Sequence, residues 1–477
     1  MYREAELYKA TVRVYTKPLF QWRKALHTSS DGRTLYDLAS RGLRALATID
    51  QQLRNEQFRF RPSIGLKYNF NGKRRTLYIP PWEERIVDLL LYRILNRRLH
   101  SWFSPNSYAY RDHTYGLDRC QSRIAAVLRS AQAPIYAVKR DISDYFASID
   151  HAVLLQQLIG HIDPGDYLFE LIAQRIRFDY QDETGSHRAQ IGVPFGCASA
   201  CVLANVYLTD LDRAVERIPE VHYFRYADDI LVLSPDRDAA MHAAEVIATA
   251  LKYLRLTVKP THVADLLLGG AIASREGCFT AATGLRHLGL EFRLGGEVSL
   301  SRDKRRKIQN LFRFAFRRSR RRWNKISDPR ERARTLAAIA SQTLNEGVRN
   351  VAIVDYYLKH VTNADQLHLL DRWLAEEILS LVFDGHKKGH FAKISFAELR
   401  QFGLPSLVHR RRLILHRKIE SPFFIWQQQK FDRAFKGTVV SRAGATSTPP
   451  DFSPCPEAAA QERSVGEDGR LYMGVME

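Results

Sequence analysis

Two adjacent carboxylates, Asp228 and Asp229, interrupt an apolar run, Phe224-Arg225-Tyr226-Ala227-Asp228-Asp229-Ile230-Leu231-Val232-Leu233. A second strand-like run, Ala137-Val138-Lys139-Arg140-Asp141-Ile142, carries another acid near its end. Like charges set among apolar residues repel each other and lose hydration, and a divalent cation is the usual reason a fold keeps them there. Carboxylate oxygens are hard ligands that suit Mg²⁺, with Mn²⁺ as its substitute, and Mg²⁺ takes water and substrate phosphates as its remaining ligands. The competing reading of an isolated Asp-Asp pair is a hairpin turn with both acids in water. On the pair alone that plainer reading stands first.

The elements that must position these acids follow from hydrophobic periodicity. Helical spacing runs through 35–60, 82–103, 151–176 and 197–216, and strand-like runs occupy 135–142 and 222–234. Arg74–Ile79 is a short β-prone stretch that Pro80-Pro81 ends, and a β pair is expected at Leu288–Phe292 and Val298–Leu300 across Gly295-Gly296. From Arg302 to about residue 430 the pattern is helical, with breaks near Asp328-Pro329, Gly385 and Gly403-Leu404-Pro405. The fold class expected is α+β, followed by an all-helical portion. From Gly437 to Glu477 the chain turns to Ser, Thr, Pro, Ala and Gly and is expected to be disordered, since it holds too little apolar surface to offset chain entropy.

With the neighbouring motifs included, the sequence resembles the reverse transcriptases. Tyr226-Ala227-Asp228-Asp229 is similar to their polymerase signature, and Asp141-Ile142-Ser143-Asp144-Tyr145-Phe146 to their first catalytic motif. Gly192-Val193-Pro194-Phe195-Gly196, leading into Leu203-Ala204-Asn205 and Leu211-Asp212, resembles the template-and-nucleotide motif. Gly72-Lys73-Arg74-Arg75 with Ile79-Pro80 resembles the fingers segment, and Ser107-Tyr108-Ala109-Tyr110-Arg111 the stretch after it. His287-Leu288-Gly289-Leu290-Glu291-Phe292 resembles the primer-grip hairpin. Six motifs in the family's order, across roughly residues 70 to 305, make the resemblance specific.

That resemblance implies a right-hand polymerase: N-terminal helices and fingers over 1–134, a palm with interleaved fingers segments over 135–300, a helical thumb with an RNA-binding region over 301–436, and the tail from 437 to 477. It implies nucleotidyl transfer by two Mg²⁺ ions, with Asp141 and Asp228 as bridging ligands, Asp229 as the weaker third and the Ile142 carbonyl completing a site. Lys73 and Arg75 would meet the triphosphate, and Phe146 would stack under the sugar and exclude a ribose 2′-hydroxyl. One of Tyr145 and Phe146 is then a core aromatic. Two departures stand out. Phe195 replaces the family's Gln beside Gly196 in the nucleotide pocket, and in Leu254–His262 the slot of the family's general-acid Lys falls on His262, with Lys259 the competitor.

Charge supports a polyanionic partner. The chain of 477 residues holds 72 Lys+Arg against 52 Asp+Glu, a net charge of +20. The segment 302–322 is dense in bases, among them Arg305, Arg306, Lys307, Arg317 and Arg318, and its Ile308, Leu311, Phe312 and Ala315 share one helical face. A second basic patch contains Arg410 and Arg411. Five cysteines without a CxxC pair argue against a disulfide framework or zinc ribbon, and no apolar stretch approaches a membrane span. The expectation is a cytoplasmic enzyme that copies a structured non-coding RNA template into DNA from deoxynucleoside triphosphates, in antiphage defence, with the oligomeric state unread. Two alternatives accompany it: a template-independent or protein-primed polymerase, and a maturase-like RNA-binding protein with a vestigial site. The three acids are expected to stand unpaired at the centre.

Overall fold

The computed structural model describes residues 2–16, 28–70, 73–111, 114–132, 134–270, 275–276, 278–346 and 348–416. The expected tail at 437–477 and the last part of the expected helical run therefore lie outside the described residues. The strands described are β1 (Ser63–Phe70), β2 (Lys73–Ile79), β3 (Ile135–Asp141), β4 (Asp179–Asp182), β5 (Gly185–Arg188), β6 (His222–Tyr226), β7 (Asp229–Ser234), β8 (Ala264–Leu268), β9 (Arg275–Glu276), β10 (Phe279–Ala282), β11 (Leu285–His287), β12 (Leu290–Phe292) and β13 (Val298–Leu300).

Three sheets result, ordered β2-β1-β4-β5, β6-β7-β3-β8-β10-β9 and β11-β12-β13. The six-stranded sheet carries the acids, and its two faces are both covered. Val138, Ile230, Val232 and Tyr223 enter one core with the helices Trp82–Arg98, Ala198–Glu216 and Arg237–Tyr253. Ala137, Leu231, Leu233 and Phe224 enter a second core with the helix Leu117–Ser130, the three-stranded sheet and the C-terminal helices. The alternation is the period of two of a pleated strand, and the β3/β7 register pairs Val138 with Val232 and Ala137 with Leu233. Burial on both faces explains why these runs are nearly continuous in apolar residues.

The run 222–234 is a hairpin whose two central residues are Ala227 and Asp228, because Tyr226 pairs with Asp229. The expected helix 151–176 is two helices, His151–Ile159 and Tyr167–Ile176. Asp150 accepts from the amides of Ala152 (2.9 Å) and Val153 (3.1 Å), and Asp166 from Leu168 (2.9 Å), so each helix has its own side-chain cap. The helical portion breaks where expected: Pro329 opens a helix, while Gly385 (φ 123°) and Gly403 (φ 91°) take left-handed conformations. No helix among the described residues is long and apolar enough to cross a membrane.

Candidate active site

β3 ends beside the start of the antiparallel β7, and their register sets Asp141 opposite Asp229. Lys139 and Asp141 continue the face that Ala137 buries, but beyond the core, so an apolar stripe becomes a charged one at the end of the strand. Asp228 occupies the turn, and its carbonyl accepts from the Ile142 amide at 3.3 Å. Ala227 in that turn has φ 57°, whereas Asp228 is not left-handed, the pattern of a type II′ hairpin turn. A left-handed alanine is strained, and such strain persists only where the surroundings over-determine it.

Arg225 supplies that constraint. It is fully buried, and its guanidinium donates to the Ala227 carbonyl at 3.1 Å, to Asn205 Oδ1 at 3.1 Å and to both carboxylate oxygens of Asp212 at 2.6 Å. Asn205 in turn donates to the Ala109 carbonyl at 2.7 Å, and the Tyr223 hydroxyl donates to Asp212 at 2.6 Å. The sequence motifs contain Asn205, Asp212 and Arg225, yet sequence reasoning gave none of them a role. A charged residue inside an apolar strand was the available signal.

Two of the acids, Asp141 and Asp229, are not unpaired, contrary to expectation. His262 Nδ1 lies in hydrogen-bond contact with Asp141 Oδ2, and Lys259 Nζ is 3.4 Å from the same oxygen. The Lys259 amide donates to the Asp141 carbonyl (2.8 Å) and the Ser143 amide to that of Thr257 (2.8 Å), which pins this segment to β3. None of these backbone bonds uses the Ile142 carbonyl. Asp229 Oδ1 is 3.6 Å from Lys139 Nζ and 3.5 Å from His287 Nδ1, yet it has no hydrogen-bond partner and neither do the two ring nitrogens of His287. Burial makes His287 much harder to protonate than a free imidazole.

Electrostatics describes what the cluster can hold. Burial, and then the charge of Asp141, pushes the Asp228 carboxyl up to about 6. Burial pushes Asp229 up to about 6 as well, with Lys139 opposing and Asp141 reinforcing the rise. Among the described residues no three acid, histidine or cysteine groups close on a point by themselves as a metal site. Two raised carboxyls, a third acid beside them and a buried oxygen without a partner nevertheless fit a hard cation. Its other ligands would be water and phosphate oxygens.

An aromatic cluster adjoins the acids. The Phe146 ring meets Phe195 at 5.6 Å and Tyr110 at 6.1 Å, both edge to face, and the Arg75 guanidinium stands 5.2 Å from the Phe195 ring. Tyr145 is the core member of its pair, buried, with its hydroxyl on the Ala204 carbonyl. Gly196 has φ 105°, and a Cβ there would lie 2.5 Å from Leu77 Cδ1, so glycine lets this loop press against β2. The helix behind the loop is held by Asp88, which accepts from the amides of Ala198 (2.5 Å) and Ser199 (3.2 Å) and is paired with Arg175 at 3.0 Å. The Lys73 side chain lies outside the described ones.

The basic residues divide. Arg305, Arg306, Lys307, Arg317 and Arg318 are exposed along the helix Arg302–Arg318. Arg410 is not at the surface and does not join them: it is buried in a two-bond pair with Asp355, its Nη2 at 2.9 Å. The sequence expectation placed it on a nucleic-acid face, but a guanidinium matched to a buried carboxylate is a packing element. Arg411 is half-buried with an unpartnered Nε.

Residues 66–292 match the family model described as Reverse transcriptase (RNA-dependent DNA polymerase). The chain is 26% identical over 143 residues to the group II intron-encoded protein LtrA of Lactococcus lactis subsp. cremoris, covering 30% of this chain and 23% of that protein. It is 25% identical over 171 residues to an uncharacterized 91 kDa protein in the cob intron of Schizosaccharomyces pombe, covering 36% and 21%. The alignments thus span about a fifth of the length of these relatives. Among solved structures, telomerase from Candida albicans in complex with a fragment of telomeric RNA is similar with a TM-score of 0.42 and 11% identity, covering 74% of this chain and 67% of that one.

Proposed function

We propose, for a chain whose residues 66–292 form a reverse transcriptase domain, that it is an RNA-directed DNA polymerase whose catalytic centre is Asp141, Asp228 and Asp229. The observation that carries this is the register of β3 against β7, which brings the three acids together at a strained turn held by a buried arginine. The acids fit Mg²⁺. Asp141 and Asp228, with Asp229 and the Ile142 carbonyl contributing, would hold such ions. When bound, such ions supply Lewis acidity to the attacking 3′-hydroxyl and to the leaving pyrophosphate.

The chain's own residues do the rest. Arg75, stacked on Phe195, presents a fixed cation toward the triphosphate. Lys73 belongs to the same proposal by its place at the start of β2. Phe146, held between Tyr110 and Phe195, is the wall against which a ribose 2′-hydroxyl would clash. His262 Nδ1 and Lys259 Nζ both lie beside the Asp141 carboxylate, and one of the two side chains would protonate pyrophosphate. On the helix Arg302–Arg318, the outward cations Lys307 and Arg318 would track the template–product duplex. A structured non-coding RNA template and a role in antiphage defence complete the proposal, and the support for these two is the resemblance of the motifs.

Primer extension on an RNA template, with deoxynucleoside triphosphates and Mg²⁺, is the test. Full-length DNA from the wild type and none from Asp228→Ala/Asp229→Ala is the result expected. Sequencing the nucleic acid that copurifies identifies the template. Untemplated DNA would move the reading to a template-independent polymerase, and bound RNA with no DNA product from either form would sink it. His262→Gln set against Lys259→Ala assigns the general acid through the pH dependence of the rate.

A further inference from the structure

The basic helix Arg302–Arg318 was expected to present one face to nucleic acid, but packing gives it two. Successive residues on a helix are turned by about 100°, so Arg306 and Lys307 point in different directions. Ile308, Phe312 and Phe316 are buried. Lys307, Phe314 (51% exposed) and Arg318 lie on a single stripe facing away. Arg302, Arg305 and Arg306 instead line a cavity of about 330 Å³ against the helix Ala364–Val382, whose Leu369, Leu370 and Trp373 form its apolar side.

We infer that this cavity binds one unpaired nucleotide of a single-stranded nucleic acid, its phosphates on the arginines and its base against Trp373 and Leu369. The chemistry on the two sides of the cavity matches the two halves of a nucleotide. None of the three arginines is paired with a carboxylate among the described residues, so their charge is available to a phosphodiester. The indole is oriented in advance: the Arg313 guanidinium stands 5.3 Å from its ring and is held by Glu377 at 2.9 and 3.0 Å. Leu369 is 63% exposed, an apolar surface that a stacked base would cover. The volume is at the small end for a ligand pocket, enough for a single nucleotide. A paired base is stacked inside its duplex and cannot enter, whereas an unpaired one presents its face freely. The wall is rigid, because Gln366 bonds both the amide (2.6 Å) and the carbonyl (3.2 Å) of Leu300, which ties the helix to β13. The site therefore lies beside the β11–β13 sheet, whose His287 stands 3.5 Å from Asp229.

The test is fluorescence anisotropy on the full chain with two probes, an oligouridylate and a blunt RNA–DNA duplex, at several salt concentrations. Trp373→Ala should weaken the oligouridylate at least about fivefold while changing the duplex less than about twofold, and Trp373→Phe should keep most of the affinity. Arg306→Gln, an exposed change that leaves the core alone, should lower the salt slope for the oligouridylate by about one and spare the duplex. Unchanged oligouridylate binding in both Trp373→Ala and Arg306→Gln overturns the inference, and so does an equal loss for both probes. Uridine monophosphate displacing the oligouridylate as effectively as unlabelled oligouridylate would also overturn it, in favour of a free mononucleotide. The inference rests on the nucleic-acid reading but not on catalysis, so failure of primer extension and failure here are separate results.

Discussion

Arg225 sits at 0% exposure in the middle of a strand, and every donor direction the structure gives it ends on the site's scaffold. Breaking a buried ion pair leaves its partner's charge uncompensated, at a cost of about 3–5 kcal/mol. Arg225→Gln should therefore lower the midpoint of urea unfolding sharply. The double change Arg225→Met/Asp212→Leu removes both charges and should recover much of that loss, yet it should stay inactive in primer extension, because nothing then holds the Ala227 carbonyl. Activity in the double variant would show that the turn needs no such support. His287 makes the opposite case. Its two ring nitrogens are buried without partners, so His287→Leu removes an unsatisfied group and should leave thermal stability equal or higher. A lower turnover in the same variant would tie His287 to the placing of Asp229. If Phe146 is the proposed wall beneath the sugar, Phe146→Ala should raise ribonucleotide incorporation relative to deoxynucleotide by about tenfold or more in single-nucleotide extension. These residues were visible in the sequence as types in the wrong company, but their partners were not.

Between elements, the helix Leu117–Ser130 joins the acid-bearing sheet to the C-terminal helices. Gln121 donates to the Leu288 carbonyl at 3.0 Å and accepts from the Tyr356 hydroxyl at 2.8 Å, while Asp118 meets His360 and, at 2.6 Å, Lys359. The hydrogen bond from His360, with Lys359 adding, holds the Asp118 carboxyl down at about 2, below its ordinary 3.8. A depressed folded-state value adds stability that is complete above the ordinary value and disappears as pH falls toward the depressed one. Because Asp118 is partly exposed, water screens the pair, and its worth is about 1 kcal/mol or less. Asp118→Asn should lower the unfolding midpoint slightly at neutral pH, and the gap to wild type should close between about pH 4 and 2. A gap that persists unchanged at pH 2 would count against this linkage. The strands Leu290–Phe292 and Val298–Leu300 and the C-terminal helices at this junction fall where the sequence pattern put them, whereas the helix Leu117–Ser130 carried no such expectation. The split of 151–176 into two capped helices did not follow from periodicity, since it depends on where Asp150 and Asp166 meet free backbone amides. The hairpin within 222–234 was one of two readings of the Asp-Asp pair, and its turn residues are Ala227 and Asp228.

Across the whole molecule, one sheet lies between two cores, and charge is sorted by the same packing. Lys307 and Arg318 share the outward stripe of the basic helix, so Lys307→Gln/Arg318→Gln should reduce the salt slope of duplex binding by about two without changing thermal stability. A slope equal to that of wild type would remove this stripe from the duplex path. Sequence alone determined the residue types and their order: three acids on two apolar strands, an aromatic five residues after the first acid, a basic helix, and a fold class that follows from their periods. Such properties are local, since side-chain chemistry and repeat length are written residue by residue. Tertiary structure decided the pairings. It set Asp141 opposite Asp229, placed His262 and Lys259 against Asp141, stacked Arg75 on Phe195, withdrew Arg410 to Asp355 and divided the basic helix between two faces. The reason is physical. Whether a charge is free, paired or buried depends on what comes within a few ångströms of it from distant parts of the chain, and burial changes the strength of every such contact.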